Sequence, residues 1–426
     1  GPHRAARKAG RMARTDALVL GAGIVGTTVA LNLAKRGLSV ALVDRRAPGE
    51  ETSYGNAGII EGNTIFPPAF PRGFATLARI ALKRAPEADY HLGFLHRVAP
   101  WLASYRVWSQ PERLAETARV MRPLFARAVG EHEMLMAEAG APSLMRKTGW
   151  LKIYRRDASF AATAHEREIA EHFGIPIRVL DPEGARTLEP ALRPVFRHAL
   201  NWEGATSISD PLALTRAYAA RFAALGGVTL TGDAHSLHRA GARWRVDTAE
   251  GPVDATDAVL ALGPWSPDIL APLGIRLPMA VKRGYHLHFR PRPGATLGRP
   301  VLDADGGYVL APMAQGIRLT TGAEFADRDA PPTPVQLARV MPAAKGLFGL
   351  GEPVEAKPWM GSRPCFADSR PVIGPAPGHS ALWLCFGHAH WGLTLAAITG
   401  RLMADLVMKT APVVDPMPFG AQRFSA

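Results

Sequence analysis

Glycines at 21, 23 and 26, in the spacing G-x-G-x-x-G, and the acid Asp44 form the first constellation in this chain that could do chemistry. Glycines do not react; they clear space. Gly21 permits a tight turn, Gly23 lets the backbone approach a pyrophosphate, and Gly26 lets a helix pack against a strand. The first helical turn, with Ile24 and Val25, offers free N–H groups and a positive dipole end to phosphate oxygens. Asp44 stands where a carboxylate would bond a ribose 2′-hydroxyl, with Arg45 beside it. Residues 17–20 (ALVL) read as a short buried strand, and Val29, Leu31, Leu33 and Ala34 continue as a helix that Gly37 stops. Residues 40–43 (VALV) read as a second strand. The unit is βαβ and its ligand a dinucleotide, with NAD and FAD both open at this point.

Length and composition bound the rest. At 426 residues the chain exceeds one ordinary domain, and two or three are expected. A hydrophobic content of 47% and a charged content of 20% describe a globular protein with a sizeable core. No run of ~18 apolar residues suggests a membrane-spanning helix. Two cysteines, Cys365 and Cys385, are too few for a disulfide framework or a C-x-x-C metal site, and they fit a reducing compartment. The expected location is cytoplasmic, with the inner face of the membrane as a second option. A net charge of +13 suggests polyanions, and five of those charges (Arg4, Arg7, Lys8, Arg11, Arg14) precede the first strand. No apolar run follows them, so they do not read as a secretory signal. No basic-aromatic cluster resembles a nucleic-acid module. A solvated basic surface is the first reading, and peripheral contact with anionic lipid the second.

The elements that must position this chemistry are spread along the chain. Residues 67–136 are helical in pattern, and "GWLKIYRR" (149–156) is strand-like. In "DPLALTRAYAARFAALGG" (210–227), Asp210 reads as N-cap, Pro211 as N1 and the terminal glycines as the stop. Residues 228–262 alternate as strands and hairpin turns. Further strands follow at "MAVKRGYHLHFRP", "GGYVLAPM" and "GIRLTTGAEF", and the chain closes with a strand, a Gly-rich turn and a helix. Parallel-sheet elements therefore occur at the beginning, middle and end, with two insertions between them. The expected class is α/β: a discontinuous Rossmann-like dinucleotide domain (1–88, 205–272 and 358–426) plus an α+β substrate domain with a mostly antiparallel sheet (89–204 and 273–357).

Five motifs in order, the fingerprint at 17–46, "TSYGNAG" (52–58), "LALGPWS" (260–266), "WMGSRPCFADSRPVIGP" (359–375) and "GHAHWGLTLAAITG" (387–400), make the chain resemble the D-amino-acid oxidase superfamily of FAD enzymes. It is most similar to the D-amino-acid dehydrogenase branch. The resemblance implies FAD as the dinucleotide. It implies that Thr52, Ser53, Asn56, Ala57, Gly58 and Ile59 run along the ribityl chain and flavin, and that Gly263 and Trp265 lie near the pyrophosphate. His235 falls where the family makes a backbone contact to adenine, or else lies in a surface turn. Gly387, His388, Trp391, Gly392, Leu393 and Thr394 precede a helix whose N–H groups and dipole suit the flavin N1–C2=O edge, where negative charge gathers on reduction.

For the substrate, a carboxylate in a desolvated pocket wants a planar bidentate partner, which arginine provides. Arg363 in "GSRP" matches the family's carboxylate-binding arginine, and Tyr308 in "GGYVLAP" a tyrosine that helps hold the carboxylate. Tyr285 is a further candidate, with core packing as its alternative. His286 and His288, on the opposite face of that strand by period 2, are set aside. His390 faces substrate or packs. Ile59 stands where some relatives carry a gating histidine, and Cys365 does not fall where covalent relatives tether flavin, so the FAD is expected to be non-covalent. The implied activity is dehydrogenation of a D-amino acid, or a cyclic imino acid such as D-proline or D-hydroxyproline, with hydride passing from Cα to flavin N5 and electrons to a quinone-type acceptor. A glycine or sarcosine-type oxidase using oxygen is the alternative, and an FAD-dependent tRNA-modifying protein a remote one. No metal cluster is expected.

Overall fold

The computed structural model describes residues 14–425, so Arg4, Arg7, Lys8 and Arg11 lie outside the described residues. Strand Arg14–Leu20 runs between Val40–Asp44 and Gly251–Leu260, parallel to both. Val228–Ala240 extends this sheet in parallel beyond Val40–Asp44, and Leu382–Phe386 does so beyond Gly251–Leu260. Val372–Pro375 closes that edge antiparallel, and Arg243–Thr248 joins Val228–Ala240 to Gly251–Leu260 as a meander. Buried on both faces, the central strands are near-continuous apolar runs, as a parallel sheet requires.

One face carries the helices Ile24–Lys35, Pro111–Glu138, Pro211–Ala224 and Gly392–Val407 around a shared apolar core. Asp210 caps the third of these, its Oδ1 accepting from the Ala213 N–H at 3.0 Å. The fingerprint helix can leave its strand only because Gly21 has a φ of +104° and Gly26 lies over it; a Cβ on Gly26 would sit 1.7 Å from the Gly21 carbonyl oxygen. The other face is filled by the meander, including fully buried Trp244.

The second sheet is larger and mostly antiparallel. Met279–Pro291 is its spine, pairing with Gly316–Thr321, Ala323–Phe325, Leu350–Pro353 and Trp359–Phe366. The order continues through Tyr308–Met313 and Val301–Asp303 to Trp150–Tyr154, His198–Trp202 and Ile177–Leu180. Three segments sit differently from the expected division of the chain. Trp359–Phe366, expected with the nucleotide sheet, belongs to this larger sheet. Helix Pro111–Glu138, expected with the substrate half, packs its Met121, Leu124 and Phe125 into the nucleotide core. Thr206–Ile208 pairs with Ile59–Ile60 and Met145–Arg146 in a separate three-stranded sheet. Apolar periodicity shows that a face is covered without showing by which half of the molecule. No helix among the described residues is long and apolar enough to cross a membrane.

His132 locks the long helix to the closing one. Its Nε2 lies 2.7 Å from the Leu393 carbonyl, and its Nδ1 2.8 Å from the Tyr218 hydroxyl. Burial pushes its pKa down to about 4. The folded value lies below the unfolded one, so the stability this group contributes is complete above about pH 6.5 and lost as pH falls towards 4, with a limiting size on the order of 3 kcal/mol. Urea unfolding should show a free energy that declines between those pH values. His132→Gln should make the decline shallower, the remainder coming from other buried histidines such as His388 and His390; an unchanged slope would show that His132 contributes nothing to it.

Candidate functional site

The two sheets enclose one cavity of about 750 Å³, within the usual size range of cofactor and small-molecule sites. Gly21, Gly23, Ile24 and Val25 form its wall at the start of the fingerprint helix. Asp44 is pinned across that turn, its Oδ2 accepting from Ala22 N–H at 2.7 Å and its Oδ1 from Arg46 N–H at 3.1 Å. Arg45 pairs with Glu51 at 2.9 Å and lies 4.7 Å from the centre of the Trp265 ring, giving this end a flat cationic platform beside Gly263. His235 reaches the wall, but its imidazole and backbone N–H both turn to Asp233. Gly26 and Gly58 stand behind the wall, Gly26 against the Gly21 carbonyl and Gly58 against that of Ile208.

At the other end two segments meet. Thr52–Gly55 forms a short 3₁₀ turn. Ser53 Oγ accepts from Ile24 N–H at 3.0 Å, Thr52 Oγ1 donates to Ser362 O at 3.2 Å, and Asn56 Oδ1 accepts from Gly58 N–H at 2.8 Å. These bonds hold Asn56, Ala57 and Ile59 along the cavity. Opposite them Gly387, His388, Trp391 and Gly392 lead into the closing helix, and Leu393 and Thr394 occupy its first turn. Thr394 Oγ1 donates to Ile59 O at 3.0 Å and accepts from Glu61 N–H at 3.2 Å, joining helix to loop. His388, bonded to Thr399 Oγ1 at 3.1 Å, is pushed down to about 3 by burial and is neutral.

Arg363 projects from the larger sheet into the same cavity. Its guanidinium donates to Gly322 O at 3.1 Å and Thr321 O at 3.4 Å and meets no carboxylate among the described residues. The space it occupies exists because residue 284 is glycine: a Cβ there would lie 2.2 Å from Arg363 Nη2. Lys282, the register partner of Arg363, adds a second cation, its Nζ 4.3 Å from the Tyr105 ring centre. His390 opens onto the cavity and is held neutral, at about 3, by burial and by the cations Arg363, Lys282 and Lys152.

Two expected substrate residues are corrected. Tyr308 is not part of the wall; it is buried in the substrate-half core, its hydroxyl facing Asp303 and Arg155 without a hydrogen bond of normal geometry. Its neighbour Val309 lines the cavity instead, because successive strand residues face opposite ways. Tyr285 touches the wall, but its hydroxyl turns away, donating to Glu324 Oε1 at 2.8 Å and accepting from Arg283 Nη2 at 3.2 Å and Thr333 N–H at 2.8 Å. The alternation on this strand is as expected: Lys282 and Gly284 line the cavity on the face opposite the Tyr285 hydroxyl, and His286 and His288, further along that face, lie beyond the wall. His286 stacks on Trp359 at 4.8 Å. His288 Nε2 accepts from Arg318 Nε at 3.0 Å, and Arg318 in turn donates to the carbonyls of Tyr54 and Asn56, clamping the loop.

Sequence reasoning also missed Glu61, Lys282 and Lys152. Glu61 Oε2 accepts from Trp391 Nε1 and Thr64 Oγ1, both at 2.9 Å, and burial raises its pKa. Nothing in its spacing sets Glu61 apart. Lys282 had a signal, its place two residues before a strand-interior glycine. Among the described residues no group of three His, Cys, Asp or Glu could hold a metal ion.

Two helix N-termini open onto one cavity that also holds the acid Asp44 and, among the described residues, an arginine that meets no carboxylate, the arrangement of a dinucleotide site beside a site for a small anion. The chain belongs to the DAO family of FAD dependent oxidoreductases, whose pattern matches residues 16–406. It is 32% identical over 429 residues to a D-amino acid dehydrogenase of Paramagnetospirillum magneticum, covering 96% of this chain and 99% of that one. It is 29% identical over 415 residues to a D-amino-acid oxidase of Bradyrhizobium diazoefficiens, covering 95% and 98%. The fold matches L-proline dehydrogenase from P. horikoshii (TM-score 0.75, 20% identity, 97% and 98% coverage) and glycine oxidase from Geobacillus kaustophilus (TM-score 0.73, 22% identity, 96% and 98%). The cofactor is therefore FAD, and the protein is an FAD-dependent amino-acid oxidoreductase.

Gly284→Ala would push the Arg363 guanidinium from its seat without touching the fingerprint end. The expected outcome is a fall of about a hundredfold in kcat/KM with unchanged FAD content. Parental turnover with Ala at 284 would show that the Arg363 position is not needed.

Proposed function

We propose that this protein oxidises a D-amino acid or a cyclic D-imino acid of the D-proline or D-hydroxyproline kind to the imine and passes the electrons to a quinone-type acceptor. The observation that carries this reading is Arg363, a planar cation that meets no carboxylate among the described residues, in a cavity whose other wall is a helix N-terminus. A substrate carboxylate satisfies its free N–H groups bidentately, and Lys282 adds attraction. Neutral His390 beside them neither competes for the carboxylate nor adds a further charge. Bound FAD supplies the two-electron acceptor for the hydride from Cα. The amides of Leu393 and Thr394, with the helix dipole behind them, favour the negative charge that accumulates on that side of the site. An amine that has lost its proton before the hydride leaves requires no protein base. A linear imine then hydrolyses in water, and a cyclic one can persist.

Cofactor attachment is non-covalent in this reading. Both thiols, Cys365 and Cys385, are buried and their pKa values raised by burial, so neither is a ready thiolate nucleophile. The oxygen-using glycine or sarcosine-type oxidase remains the second reading, favoured by the glycine oxidase fold match.

Arg363→Ala and Arg363→Lys should each lose on the order of 3 kcal/mol in kcat/KM, read as anaerobic flavin bleaching by a panel of D-amino acids, D-hydroxyproline and sarcosine. Bleaching at the parental rate by both variants would place the carboxylate anchor elsewhere. Acid precipitation of the yellow protein should leave free FAD in the supernatant, and substrate-reduced enzyme should be reoxidised faster by a soluble quinone than by air-saturated buffer. Flavin in the pellet would overturn the non-covalent attachment, and faster reoxidation by oxygen would make the oxidase reading the better one.

A further inference from the structure

Three of the four most exposed large apolar side chains fall within one short stretch: Phe74 is 87% exposed, Leu92 74% and Leu82 63%. Phe74 opens the helix Phe74–Ala81, none of whose residues is buried, and Leu82 caps it. At the helical rise, about 12 Å separates Phe74 from Leu82. Leu92 is drawn to the same end because Lys83 Nζ donates to Tyr90 O at 2.8 Å and the Tyr90 hydroxyl donates to Ala81 O at 2.5 Å.

Residues 68–86 carry four cations, Arg72, Arg79, Lys83 and Arg84, and no acid, and all four are exposed. Arg79 and Lys83 lie 3.4 and 3.8 Å from Glu87 and Asp89, while Arg72 and Arg84 pair with no carboxylate among the described residues. The stretch is also placed at the site: Pro67 just before it, Pro68 at its start and Glu87 just after it belong to the cavity wall.

We propose that this surface docks the protein on an anionic lipid bilayer, with Phe74, Leu82 and Leu92 entering the headgroup boundary and the flanking cations meeting lipid phosphates. Exposed apolar anchors among Lys and Arg are the composition an interfacial helix needs, since apolar burial and charge attraction add. A second copy of the chain fits worse, because a two-fold contact places the same patch on both partners and sets its cations against one another. The docking rests on the quinone-type acceptor for its purpose, bringing the cavity mouth to a lipid-soluble oxidant, and on the exposed residues alone for its location.

The test is flotation of the FAD-loaded full chain with phosphatidylcholine vesicles, with and without phosphatidylglycerol. Binding is expected only with phosphatidylglycerol, weakening with salt. The double variant Phe74→Ser, Leu82→Ser and the single variant Arg84→Glu should each lower the bound fraction by roughly tenfold while leaving turnover with a soluble acceptor at the parental rate. The proposal is overturned if the protein does not float with phosphatidylglycerol vesicles, or if the variants float as well as the parent. It is equally overturned if the parent is a dimer in solution that Phe74→Ser dissociates. If oxygen outruns quinone while the flotation pattern holds, the acceptor reading falls and the docking stands.

Discussion

The fingerprint helix and the closing helix meet backbone to backbone, and the site depends on that contact. Thr28 Oγ1 donates to the Ala396 carbonyl at 2.7 Å, and at Gly400 a Cβ would come within 2.6 Å of the Thr28 carbonyl oxygen. Small residues at the crossing let the two axes approach closely. Each helix follows a strand of the same parallel sheet, so both begin at the same edge of that sheet. The consequence is chemical. Two positive dipole ends, separated by some 370 residues of chain, open onto one cavity, and the apolar core behind them holds both in place.

The second constraint is electrostatic. Elsewhere in the larger sheet Arg283 meets Glu324 at 2.7 Å with neither side chain exposed, and the equally buried Arg318 spends its donors on the Tyr54 and Asn56 carbonyls and on His288. Among the described residues Arg363 and Lys282 meet no carboxylate, and burial pulls the Arg363 pKa below its ordinary value. An uncompensated cation inside a fold is costly unless something anionic arrives to meet it. The surrounding histidines do not add to that charge. Burial holds His286, His388 and His390 neutral, with Arg318 adding to the effect at His286 and Arg363, Lys282 and Lys152 at His390.

How far the sequence could be read varies with the kind of feature. The βαβ fingerprint, the Asp210 cap and the closing strand–turn–helix are local, because glycine spacing, capping chemistry and period-2 or period-3.6 patterns each act over a few residues. Arg363 was legible through its motif. The facing of the strand Met279–Pro291 was not. Alternation assigns Tyr285 and His286 to opposite sides, yet both sides of this strand are buried, so no polar face reveals which one is inner. Tyr308 was misplaced for the same reason. Glu61 was invisible because its significance lies in the Trp391 indole, 330 residues away, that donates to it.

By itself, then, the sequence determined which ligand class the chain binds, which elements begin and end where, and, through its motif, an arginine that the structure places on the cavity wall. Those properties follow from short-range backbone geometry and from residue chemistry. Only the tertiary structure decided that helix Pro111–Glu138 backs the nucleotide half, that Trp359–Phe366 joins the substrate sheet, and that Lys282 rather than Tyr308 stands with Arg363. Those outcomes depend on which of two apolar faces meets which neighbour, a choice made by packing across hundreds of residues that no local period records.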